Sequence, residues 1–195
     1  GRQAEAAALL RQLLERAPGR ADDWRRLAAL QRDLGADDQA LAILETLYAR
    51  GWMTHESELL ALAHLQLELG VPYRAARLLE DALQRGQIAA SEDTWLLIIH
   101  AWQRAREIAQ ARAAAGRAER ARPAPRFVLL QAQLSLQLAD WRAALGAADR
   151  LLERTAAADA GSDVAYRAGA QAVRGIALAR LGRLQAARPA LAIAA

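Results

Sequence analysis

The chain has 195 residues, 54% of them hydrophobic, and its 26 basic residues against 22 acidic ones give a formal charge of +4. There is no cysteine and no lysine, so every basic residue is arginine; disulfides, thiolate-bound metals and a phosphate loop that needs lysine are excluded. The length allows one sizeable core, and no apolar run of about 18 residues marks a membrane span or a signal peptide.

From Arg2 to Pro18, the positions of Ala6, Leu10 and Leu13 follow the spacing of a helix closed by proline, and residues 1–20 are predicted to be the second half of a helical hairpin. A complete hairpin is expected at about 21–53. Asp22 and Asp23 suit a helix N-terminus there, Trp24, Leu27 and Ala28 form one face, and Ala40, Leu44 and Leu47 follow a turn at Gly35. The next, at about 54–90, carries the clearest pattern: Leu59, Leu62, Ala63, Leu65, Gln66 and Leu69 before the turn, and Ala75, Leu78, Leu79 and Ala82 after it. Gly70 suits a left-handed helix cap and Pro72 needs no amide donor, so a tight antiparallel turn is predicted between them. A shift of 35 residues places Gly70 on Gly35, Ala75 on Ala40, Leu79 on Leu44 and Leu62 on Leu27.

The pattern continues at about 91–123 with Trp95, Ile98, Ile99, Trp102, Ala111, Ala115 and Ala118, although Arg106-Glu107 stands where the turn glycine would be. At about 124–160 it continues with Val128, Ala132, Leu138, Trp141, Ala144, Ala148 and Leu151. Residues 155–163, rich in alanine and turn formers, stretch the period, and Ser162 is expected to cap a long helix running to about Leu181. Gly175, Leu181, Gly182, Ala187, Leu191 and Ala194 fit a last hairpin at 161–195, with Pro189 near the start of its second helix. Because the pattern opens midway and closes on an apolar helix, the chain is expected to be part of a longer one.

These periods and the W-x2-L-G-x2-Y…A-x3-F…P frame, kept best by Trp95, Ile98, Ile99, Trp102, Ala111, Ala115 and Pro123, resemble the tetratricopeptide repeat. The expectation is one all-α domain over 1–195, a right-handed superhelix of about five repeats after a half repeat. Within that superfamily the chain resembles the repeat protein encoded beside TonB, ExbB and ExbD in some Gram-negative bacteria. The stretches that carry this are Leu41 to Tyr48 with Gly51, Glu56 to Leu60, Val71-Pro72-Tyr73-Arg74-Ala75-Ala76 with Leu78-Leu79-Glu80, and Gly175 to Leu178 with Leu181-Gly182-Arg183. The resemblance implies a periplasmic partner of the energy-transducing complex for iron-carrier uptake and names no catalytic residue. The alternative is a repeat scaffold of another envelope system, such as polysaccharide or pilus secretion; composition alone suits cytoplasm and periplasm equally.

No catalytic constellation is visible. The histidines at 55, 64 and 100 lack metal-ligand spacing, the four serines form no nucleophile elbow, and the carboxylates of Glu56, Glu58, Glu92 and Asp93 sit in first helical turns where the helix dipole accounts for them. No metal, cofactor or catalytic role is expected. The residues expected to line a groove are those on the inner positions of each first helix: Arg25 and Arg32; Leu60, His64 and Leu67; Leu96, His100 and Gln103; Leu129, Gln133 and Leu136. The leucines among them are surplus to the repeat's own core positions, so a groove for an apolar or amphipathic peptide is predicted, against the blander reading that the superhelix covers them. Arg104, Arg112, Arg117, Arg120 and Arg122 make the densest basic run; a solvated face is the default, an acidic partner segment comes next, and nucleic acid is not expected, because no aromatics are interleaved to stack on bases. The expected partner is a protein or peptide, with TonB-complex components the specific candidates. No membrane insertion is expected.

Overall fold

Apolar spacing sets the helices; some begin at a capping side chain or a proline, and seven end where a residue turns left-handed. The computed structural model describes residues 1–156 and 164–194. In residues 1–89, one compact unit, these rules give α1 (Arg2–Arg16), α2 (Ala21–Asp33), α3 (Asp37–Ala49), α4 (Glu56–Glu68) and α5 (Pro72–Gln84). In residues 90–195, a second, they give α6 (Glu92–Arg104), α7 (Ile108–Ala121), α8 (Pro125–Gln137), α9 (Trp141–Ala156), α10 (Val164–Arg180) and α11 (Leu184–Ala194). No strand occurs among the described residues, so the fold is all-α: a single helix, then five helical hairpins. The cap expected at Ser162 and the stretch around it lie outside the described residues.

Each hairpin turn repeats one hydrogen-bond pattern. At Gly70, φ is +75°, the Gly70 amide donates to the Leu67 carbonyl, and the Val71 amide reaches back to the Gln66 carbonyl at 2.8 Å. This double bond pattern satisfies carbonyls that the helix end leaves without partners, and it needs a left-handed residue. The third and fourth hairpins make the same turn without glycine: Arg106 stands at φ 63° and Ala139 at φ 55°, with the Glu107 and Asp140 amides bonded to the Trp102 and Ser135 carbonyls. The missing glycine at Arg106 changes the strain of the turn, not its geometry.

At the N-termini, the Glu58 carboxylate accepts from the Thr54 and His55 amides at 3.1 and 3.3 Å, closing the start of α4. Ser91 Oγ accepts from the Thr94 amide at 3.1 Å, and the Asp140 carboxylate accepts from the Ala143 amide at 3.2 Å. Such caps satisfy amide donors that the first turn of a helix otherwise leaves open.

Alanine sets the distance between paired helices. Ala40, Ala75, Ala82, Ala111, Ala115, Ala118, Ala144 and Ala148 are fully buried, so the helices approach closely at those points and leucines fill the space on either side. In the first unit that space is filled by Leu27, Leu47, Leu59, Leu62, Leu65 and Leu79. In the second, Val128, Ala132, Leu151, Ala170, Val173 and Ala177 build the core of α8, α9 and α10. Gly175 allows α10 and α11 to cross: a Cβ there would stand 2.6 Å from the Leu191 side chain.

The tryptophans divide. Trp95 and Trp102 are buried, as the repeat frame requires. Trp24 is only half-buried: its indole N–H donates to the Pro18 carbonyl at 3.0 Å, and the Arg50 guanidinium lies over its ring and over that of Trp52 at 5.6 and 4.9 Å. Trp141, also half-buried, lies under Arg180 at 5.6 Å. These three rings pack against arginine at the ends of hairpins.

Candidate functional site

On the first-helix side of the first unit, the two predicted arginines are committed to holding helices. Arg25 on α2 reaches Glu58 on α4 at 2.6 Å, the Trp52 carbonyl at 2.6 Å and Asp22 at 3.0 Å. The bond to Glu58 raises the Arg25 pKa above its usual value, although burial works against it. Burial pushes the Glu58 carboxyl upward, yet the bond from Arg25 and the amides of His55 and Thr54 together hold it below the ordinary glutamate value. Arg32 bridges Asp37 at 3.8 Å and Glu68 at 3.5 Å. Arg25 and Arg32 thus clip α2 to α4 at two levels.

His64 is exposed and Leu60 half-buried, but Leu67 is only 5% exposed. Leu67 was expected to be surplus to the core, and it is part of it. The reason is that α4 buries Leu59, Leu62, Ala63, Leu65, Gln66 and Leu67, so it is apolar around most of its circumference rather than along one stripe.

On the same side of the second unit, His100 on α6 and Gln133 on α8 are exposed, while Leu96 and Gln103 are half-buried. Arg126 and Glu92 tie α8 to α6 at 2.5 Å, and that bond raises the Arg126 pKa. Leu129 and Leu136 are half-buried and pack against the core of α8, α9 and α10. Leu129 settles onto α10 because residue 169 is glycine: a Cβ there would stand 3.0 Å from Leu129 Cδ2. These two leucines therefore already have partners within the fold, and the surface left between His100 and Gln133 is mixed rather than apolar.

The basic run of the sequence does not form one patch. Arg104 ends α6 at the turn, whereas Arg120 and Arg122 lie at the far end of α7, a helix of 14 residues. That length separates them by about 20 Å. Between them Arg117 is half-buried, and Arg112 is paired with Asp140 at 2.8 Å. Asp140 titrates below the usual aspartate value because Arg112 and the Ala143 amide both donate to it.

Two grooves that the sequence did not suggest lie on the second-helix side, one in each unit. The first, about 510 Å³, runs among α3, α4 and α5 and is edged by Glu45, Tyr48, Arg74, Arg77 and Asp81. Both its carboxylates are engaged: Glu45 accepts from Gln66 and Arg74, each at 3.1 Å, and the Tyr48 hydroxyl donates to Asp81 at 2.7 Å. Burial, reinforced by Asp81, pushes the Tyr48 phenol up to about 12. The second groove, about 540 Å³, runs among α7, α8 and α9 and carries Arg112, Arg142, Arg150 and Asp140 on a wall of alanine and glycine. In the sequence its trace is a glycine four residues before an arginine, Gly146 and Arg150, a spacing that also occurs at Gly116 and Arg120 and at Gly70 and Arg74.

Among the described residues, no three His, Asp or Glu side chains gather where they could hold a metal ion, and no helix is long and apolar enough to cross a membrane. No family model and no curated protein matches the chain. Solved structures do. A structure described as YrrB, a TPR protein with an unusual peptide-binding site, is similar at 15% identity with a TM-score of 0.60, over 96% of this chain and 91% of that one. MamA is similar at 16% identity and a TM-score of 0.59, over 86% and 92% of the two chains. BtubC (BKLC) from P. vanneervenii is similar at 17% identity and a TM-score of 0.56, over 98% and 86%. At such identities the likeness shows the fold alone, an all-α succession of helical hairpins like those of tetratricopeptide-repeat structures.

Proposed function

We propose that the chain is a non-enzymatic protein-interaction scaffold, and that a partner segment lies along the first-helix side of the second unit. The observation that carries this is the surface of α6 and α8. His100 and Gln133 are exposed there beside half-buried Leu96 and Gln103, on helices fixed side by side by the Arg126–Glu92 pair. Amphipathic segments bind such mixed surfaces through a few apolar anchors with polar groups to fix register. The peptide-binding site named for YrrB, on a similar fold, supports the same class of role.

The finer reading rests on the resemblance carried by Val71-Pro72-Tyr73 and the stretches grouped with it. It places the chain in the periplasm as an accessory of TonB-dependent uptake of iron carriers; the second reading is a scaffold of another envelope secretion system. Purified chain would be offered the periplasmic domains of TonB and ExbD, and separately an envelope extract. Binding to TonB or ExbD that falls roughly tenfold on H100A/Q133A with an unchanged melting temperature is the expected result. No binding to either domain removes the TonB reading. A partner captured from the extract that binds wild type and H100A/Q133A equally removes the first-helix surface.

A further inference from the structure

Charge is divided unevenly between the two units. Residues 1–89 hold 11 arginines against 13 acidic residues, and residues 90–195 hold 15 arginines against 9, so the formal +4 of the chain is distributed as −2 and +6. The grooves on the second-helix side repeat this contrast. In the first unit, Glu45 and Asp81 face Arg74 and Arg77, and the groove is balanced. In the second, Asp140 is the one carboxylate lining the groove against Arg112, Arg142 and Arg150.

Asp140 is already taken by Arg112 at 2.8 Å. Glu119, the acidic residue of α7, is taken by Gln131 at 2.8 Å and Arg154 at 2.7 Å. Arg142 and Arg150 are exposed and have no carboxylate at ion-pair distance among the described residues. They stand eight residues apart on α9, with Gly146 midway. At 1.5 Å per helical residue their anchor points are about 12 Å apart on one face.

The glycine matters to where the charge sits. Arg150 Nη1 is 3.9 Å from the place a Cβ on Gly146 would occupy, so the guanidinium lies back along the helix over that residue. Gly116 and Arg120 repeat the arrangement on α7, with Nη1 at 3.7 Å. Glycine inside a helix is destabilising by about 0.5–1 kcal/mol relative to alanine, so helix stability does not account for either position. Ala143 and Ala147 line the groove with Gly146, so the wall between the two arginines carries only small side chains.

We propose that the groove among α7, α8 and α9 docks an acidic segment of a partner protein, with carboxylates paired to Arg142 and Arg150. An acidic peptide is favoured over nucleic acid because no aromatic side chain lines the groove to stack on a base. The site is separate from the first-helix surface, so either can fail without the other.

The probe is a fluorescein-labelled peptide of alternating Glu and Ala, with a Gln-Ala peptide as its uncharged counterpart, followed by anisotropy at low salt. The expected result is that the Glu peptide binds, that added salt weakens it, and that R142Q/R150Q weakens it about tenfold or more. R74Q/R77Q, in the balanced groove of the first unit, should leave binding unchanged. A charge-reversed pair guards against a folding defect: R142E/R150E, with an unchanged melting curve, should bind an Arg-Ala peptide that wild type does not. Equal binding of the Glu and Gln peptides, or of wild type and R142Q/R150Q, overturns the proposal. So does a single-stranded oligonucleotide of equal charge that binds more tightly than the peptide and depends on the same two arginines.

Discussion

At Ala139 the backbone holds a left-handed conformation, φ 55°, that the equivalent turns at Gly35, Gly70 and Gly182 reach with glycine. A Cβ in that region costs about 1–2 kcal/mol, while glycine returns roughly 0.5–1 kcal/mol through the greater freedom of the unfolded chain. Ala139 is exposed and its methyl group is no part of the core, so little packing is lost on removing it. A139G is therefore expected to stabilise by up to about 1 kcal/mol, raising the melting temperature by about 2–4 °C in a chain of this size. G70A should move it the other way. A thermal melt of the two variants decides, and a lower melting temperature for A139G would mean that the turn is not strained. The absence of glycine at Arg106 was readable in the sequence. That the turn forms there regardless was not, because five turns share one hydrogen-bond pattern that the packing of each hairpin imposes.

The helical hairpins themselves were legible, since apolar spacing of 3.6 residues and Gly70-Val71-Pro72 state the period, the turn and the buried face together. Which side of a helix is left open was not legible for α4. Leu67 occupies an inner position of the repeat, and only the surrounding helices show that α4 buries that position as well. Nor could the spacing show that Arg25 and Arg32 would be used to join α2 to α4, because ion pairs between repeats depend on how neighbouring hairpins stack. The Arg25–Glu58 contact has a measurable signature. Glu58 is held below its unfolded value, so its contribution is fully present above the ordinary glutamate value of about 4.3 and is lost as pH falls through the lower folded value. Thermal melts from neutral to acid pH should show wild type above E58Q at neutral pH, with the gap closing below about pH 4. A gap that persists unchanged in acid would show that the charge of Glu58 is not what it contributes, since a glutamine there can still accept from the Thr54 and His55 amides.

Among the described residues, every extensive helix contact joins elements one or two places apart in chain order: α2 with α3, α3 with α4, α8 with α9, α8 with α10. A chain built this way has few long-range contacts to coordinate, and its stability is set by each hairpin and its nearest neighbours rather than by one shared core. Damage should therefore stay local. Ala75 is fully buried where α5 meets α4, in a space made for a methyl group. A75W would overpack that crossing and is expected to cost about 1–3 kcal/mol. If stability is propagated only between neighbours, hydrogen exchange in A75W should lose protection strongly in α3, α4 and α5 and far less in α8, α9 and α10. The size of the change in α8 to α10 is the decisive reading. Equal loss in all six helices would mean that the two units unfold as one cooperative body, and the acidic-segment groove of the second unit could then be weakened by substitutions made anywhere in the first. Loss confined to α3 to α5 would leave that groove independent, so that R74Q/R77Q and R142Q/R150Q can be read as separate perturbations.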